Sequence, residues 1–128
     1  MALVRDTYEA TRSYPPEERF GITAQLRKAV VSVPANIAEG HGRVHRGDYM
    51  HHLSIAHGSL WEVETLLQIA QQLGMSPSAT IDPLLGACHE LGRMLGALMR
   101  ALQRAGPASG GYNQPAKRPK SSAPKTDP

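Results

Sequence analysis

Residues 20 to 43 read Phe-Gly-Ile-Thr-Ala-Gln-Leu-Arg-Lys-Ala-Val-Val-Ser-Val-Pro-Ala-Asn-Ile-Ala-Glu-Gly-His-Gly-Arg. Thr23, Leu26, Val30, Val33 and Ile37 recur by threes and fours, the spacing at which side chains share one face of an α-helix. Pro34 lies inside that pattern. An interior proline has no N–H to donate and costs a helix about 3 kcal/mol. A helix that keeps one must be held by packing along its apolar face, and Pro34 is expected to bend it. The segment therefore belongs to an assembly of helices. Gly40 and Gly42 are candidates for its C-cap, because glycine adopts a left-handed conformation without a Cβ penalty.

The helical period continues on both sides. Residues 2 to 13 form a short first helix with Leu3, Val4, Tyr8 and Thr11 towards one side. Tyr14-Pro15-Pro16-Glu17-Glu18 ends it and starts the second helix, expected from about Pro16 to Glu39, since proline is tolerated in a first turn. The third helix begins near Gly47-Asp48, with Asp48 a candidate N-cap, and Gly74 ends it. Its Tyr49, Leu53, Ala56, Leu60, Val63, Leu67 and Ala70 make an unbroken heptad seam. The fourth starts at Ser76-Pro77 or Asp82-Pro83, carries Leu84, Cys88, Leu91, Leu95, Leu98 and Leu102 at the same spacing, and stops at Gly106-Pro107. Three seams of one period joined by short loops predict an all-α, antiparallel helical bundle with a short first helix, spanning residues 1 to 105. A second stripe on the third helix, Ile55, Trp61 and Ile69 with Leu66 and Leu73 beside them, is more apolar than a monomer requires and points to an interface with another subunit.

From Gly106 onward Gly, Pro, Ser, Ala and Lys dominate, with Tyr112 the only large apolar residue. Such a segment buries too little surface to offset its ordering entropy, so a disordered tail is expected over 106–128. Residues 1 to 105 hold ten Lys/Arg and ten Asp/Glu, so the net charge of +3 sits wholly in the tail, on Lys117, Arg118, Lys120 and Lys125 against Asp127. The single cysteine, Cys88, rules out an internal disulfide and any CxxC motif, which suits a reducing cytoplasm. No apolar run approaches the roughly 20 residues of a membrane span, and Met-Ala-Leu-Val-Arg-Asp has no signal-peptide pattern. No membrane partner is expected.

Catalytic spacing is absent. There is no P-loop and no GxSxG elbow; Gly40-His41-Gly42 lacks the third glycine of a dinucleotide loop; and no glutamate has histidine three positions on, as a di-iron bundle needs. A metal-dependent enzyme would have to bring Glu39, Glu62 and Glu64 together. The simpler reading has Glu39 and Asn36 satisfying backbone ends near Gly40, and Glu62 pairing with Arg27. His41, His45, His51, His52 and His57 are dense, and His41 and His45 are four apart. With no cysteine near and the first pair in a loop, they read as surface histidines rather than a zinc site. No metal or cofactor is expected, and Cys88 reads as a small apolar core residue. The cations left are Arg43, His45 and Arg46 with Arg27 and Lys28, the folded domain's candidates for phosphate contact. Lys117, Arg118 and Lys120 in the tail are candidates for a flexible arm along nucleic acid.

Two blocks carry a family resemblance. Phe20 to Ala29, then Val33-Pro34-Ala35-Asn36-Ile37-Ala38-Glu39-Gly40 with Gly42-Arg43, and later Ile55 to Leu67, resemble the four-helix-bundle proteins encoded in 23S ribosomal RNA intervening sequences. The likeness covers roughly residues 1 to 105 and implies an up-down bundle that assembles as a homopentameric ring. The family is similar in turn to accessory variability proteins that partner reverse transcriptases in diversity-generating retroelements; those are pentameric and bind nucleic acid. No enzymatic activity is established for the family. Its members usually have a longer first helix, and the basic tail is outside their pattern. The expectation is a non-catalytic oligomeric scaffold that meets RNA or DNA phosphates, with an accessory subunit of a reverse transcriptase or similar protein as the alternative.

Overall fold

Pro34 sits inside an unbroken helix. The computed structural model describes residues 1–43 and 45–105, so the expected tail, with Lys117, Arg118 and Lys120, lies outside the described residues. The helices are α1 (Ala2–Thr11), α2 (Ile22–His41), α3 (Arg46–Gln72) and α4 (Ser78–Arg104), packed in an antiparallel up-down four-helix bundle. Among the described residues there is no strand, and no helix is long and apolar enough to cross a membrane.

The core is built mostly from the expected seams, with Ile81 added on α4 and Leu91 only half-buried. Leu26, Val30 and Val33 of α2, Leu53, Ala56, Leu60, Val63, Leu67 and Ala70 of α3, and Ile81, Leu84, Cys88 and Leu95 of α4 are buried, with Leu3 from α1. A fully buried Leu or Val contributes about 1.5–3 kcal/mol. Leu26, Val30 and Val33 alone therefore outweigh the proline they share a helix with. The seams loosen towards the end where α2 turns into α3. There Ile37, Tyr49, Leu98 and Leu102 are only half-buried. The reason is the length of α1. Thr11 is bonded to Arg27, so α1, about 15 Å of helix, reaches back only to about the level of Asn36, short of the turn into α3.

Four local expectations need correction. The second helix does not begin at Pro16: Pro16–Glu18 is one 3-10 turn, and α2 starts at Ile22. The chain must reverse between α1 and α2, and residues 12 to 21 are spent on that reversal, pinned where the buried Ser76 hydroxyl donates to Tyr14 Oη at 2.7 Å. Asp48 is not the N-cap of α3; it lies in the first turn, where its charge complements the helix dipole. Gly40 is no cap but a buried residue inside α2. A Cβ there would lie 2.8 Å from His52 Cβ and 3.3 Å from the Tyr49 carbonyl oxygen, so the glycine lets α2 and α3 approach closely. Gly42 does cap α2, yet at φ −83°, not in a left-handed conformation.

Gly74 has φ +75° and ends α3 as expected, with its N–H bonded to Gln71 and that of Met75 to Ala70, the paired bonds of a Schellman turn. Of the two starts expected for α4, the earlier one holds, and Pro83 is carried inside the helix. On α1 the buried face is Leu3, Thr7 and Thr11, with Tyr8 turned outward.

Candidate functional site

The cations that lie close in sequence are not one cluster in space. Sixteen residues separate Arg27 from Arg43, about 24 Å along a helix. Arg27 is committed to α1: its Nε donates to Thr11 Oγ1 at 2.8 Å and its guanidinium lies 4.7 Å from the Tyr8 ring centroid. It does not pair with Glu62, which is exposed. Lys28 is exposed. At the far end of α2, Arg43 donates to Glu39 Oε2 at 2.6 Å. Both partners are exposed, so the pair is worth about 0–1 kcal/mol and a phosphate can compete for the arginine. His45 is exposed at the N-cap of α3, and Arg46 is half-buried in its first turn.

Glu39 and Asn36 do not close backbone ends near Gly40. Asn36 instead anchors a polar ladder between α2 and α3: its Nδ2 donates to the Ser32 carbonyl and hydroxyl at 2.9 and 3.0 Å, and its Oδ1 lies 3.1 Å from His52 Nδ1. Ser32 and Ser59 share a hydroxyl bond of 2.8 Å. Glu39, Glu62 and Glu64 do not converge, since Glu39 is at the turn with Arg43 while Glu64 reaches His89 on α4 at 3.3 Å. Among the described residues no three His, Cys, Asp or Glu are grouped to hold a metal. Burial, and then the charge of Glu64, push the Cys88 thiol up to about 12, so it is neutral and packs as a core residue.

The ladder and the Glu64–His89 pair define two flanks of α3. His52 and Ser59 face α2. Ile55, Leu66 and Leu73 step with Ser59 by four and by sevens, so they lie on that flank, with Ile69 three residues from Leu66. Ile55 and Ile69 are partly open and Leu73 is 63% exposed. Val31 on α2 is open as well, but it steps by four with Arg27 and so lies on the side of α2 that faces α1. Leu66 is not available to a neighbour: at 8% exposure it is part of the core, three residues after Val63 and four before Ala70. Trp61 stands apart from the other four. It steps with His57 and Glu64, packs edge-on against the His57 ring at 6.4 Å, and lies on the flank that faces α4.

That second flank holds cations the sequence reading passed over. His89, Arg93, Arg100 and Arg104 step by four, seven and four along α4 and share a face. From Leu91 to Ala105 there are three arginines and no carboxylate. Among the described residues none of these arginines is ion-paired or hydrogen-bonded, and all three are exposed. Their spacing was visible beside the leucine seam; which helix they would lie against was not. Because α3 and α4 are antiparallel, Arg104 comes level with Asp48, at the same end of the bundle as Arg43, His45 and Arg46. Residue 106, the first of the tail, follows from that end.

A search of curated proteins finds no match. The family described as 23S rRNA-intervening sequence protein matches residues 1–97, which take in α1, α2, α3 and α4 up to its last two turns. With most of the sequence matched, the chain belongs to the 23S rRNA-intervening sequence protein family.

Proposed function

We propose that this protein is a non-catalytic, self-associating helical scaffold that binds nucleic acid through phosphate contacts. One observation carries the reading: the unpaired arginines of α4 run without an interposed carboxylate to the end of the bundle that holds Arg43, His45 and Arg46 and from which the basic tail departs. Balanced overall charge in residues 1–105 hides this segregation. Self-association uses the apolar flank of α3, with Ile55, Ile69 and Leu73, and a ring of five copies would repeat the cationic end five times and raise its potential.

Titration of labelled RNA and DNA against rising salt tests it. Binding is expected to weaken with a log–log slope of about −0.7 to −0.9 for each phosphate contacted. Absence of binding to either nucleic acid at low salt overturns the proposal. The same apolar flank favours the second reading, an accessory subunit docked on a reverse transcriptase or similar partner. Mass in solution separates the two: a monomer leaves that flank to another protein, a closed oligomer covers it with itself.

A further inference from the structure

We infer that the flank between α3 and α4 is a single-strand site, with a base stacked on Trp61 and the strand's phosphates on Arg93, Arg100 and Arg104. This rests on the nucleic-acid reading above and goes beyond it by naming the surface and the kind of strand. Trp61 is 62% exposed, an unusual state for a large aromatic residue with a well-packed core beneath it. Its edge-on contact with His57 restrains the indole.

Leu60, the residue before Trp61, lies against Gly92: a Cβ on that glycine would stand 3.6 Å from Leu60 Cδ2. Trp61 is therefore level with Gly92 and Arg93 along the bundle axis. Arg100 and Arg104 follow at about 10 and 16 Å further along the helix axis. Of the carboxylates near this row, Glu64 is in contact with His89. Glu90, three residues before Arg93 and on the same side of α4, makes no ion pair with it.

An aromatic platform at one end of a cationic row is how single strands are held without sequence readout. A duplex keeps its base faces inside the stack and has nothing to offer the indole. The chemistry is shared by RNA and DNA, because every base has a π-face.

Trp61 is the only tryptophan in the chain, so its fluorescence reports the site without ambiguity. The full chain is titrated with oligouridine and oligothymidine of about 12 nucleotides, and with a duplex of equal length, reading indole emission and the anisotropy of a labelled strand. Indole quenching should saturate together with anisotropy for the single strands. Trp61→Ala should weaken binding about 5- to 100-fold, and Trp61→Phe should restore part of it. Changing Arg93, Arg100 and Arg104 together to Gln should lower the salt slope by about 2, at about 0.7 per phosphate. The comparison of oligouridine with oligothymidine tells which strand is preferred.

Unaltered affinity in both variants overturns the inference and leaves nucleic-acid association standing. So does duplex binding as tight as single-strand binding, which would come from charge alone. A change in oligomer mass on Trp61→Ala also overturns it, since the indole would then belong to a subunit contact. No binding by any probe at low salt removes the broader reading as well.

Discussion

The two flanks of α3 are built on different principles. Towards α2 the backbones come close: Gly40 leaves no room for a Cβ, and Asn36, Ser32, Ser59 and His52 tie the helices with a polar ladder. Outside that seam the surface is apolar. Towards α4 leucines fill the seam, one imidazole–carboxylate contact crosses it among the described residues, and the surface outside is cationic with an exposed indole. A seam tied by small and polar groups specifies one register. A seam made of leucines supplies stability and leaves its rim free to carry charge. On the function proposed above, self-association would use one side of α3 and phosphate contact the other.

Substitutions that treat the two seams alike should give opposite or unequal results, measured by thermal and urea unfolding at fixed protein concentration. Gly40→Ala forces α2 from α3 and should destabilise by about 1–3 kcal/mol. Asn36→Ala should cost about 1–2 kcal/mol, because it strips partners from half-buried Ser32 and His52. Gly92→Ala, on the α4 side, meets Leu60 at an ordinary contact distance and should stabilise by up to about 1 kcal/mol through helix propensity. If Gly40→Ala were as benign as Gly92→Ala, the contrast between the seams would be wrong.

The His89–Glu64 contact crossing to α4 should matter little. His89→Ala is expected to cost less than about 1 kcal/mol, since the imidazole is 57% exposed. The smallest effect is confined to alkaline pH. The Cys88 thiol is raised from 9.0 to about 12 by burial first and by Glu64 second. The unfolded chain then releases that proton at lower pH than the folded one. The contribution is fully present below pH 9 and is lost as pH rises from 9 to about 12. Cys88→Ala should flatten stability over that window and leave its pH dependence unchanged below it.

Much of this was legible in the residues. The heptads of α3 and α4, the seam of α2 and the stop at Gly74 follow from spacing alone. The separation of Trp61 from Ile55 was legible too, because six residues turn a helix by about 240°. Leu66 likewise sits at core spacing from Val63 and Ala70. The place of Gly40 was not, since glycine near a helix end reads equally as a cap and as a point of contact, and only the neighbouring helix decides. The arginines of α4 offered a row but not a flank.

The sequence by itself determined the periodicity, and with it four helices, their apolar faces and their family. Those are local properties, set by turns of 3.6 residues and by glycine and proline punctuation. The tertiary structure decided which cations meet. It sent Arg27 to α1, brought Arg104 to the end that holds Arg43, and set Trp61 level with Arg93. Charges on different helices have no relation until antiparallel packing sets their register, and that register is fixed by side chains far apart in the chain.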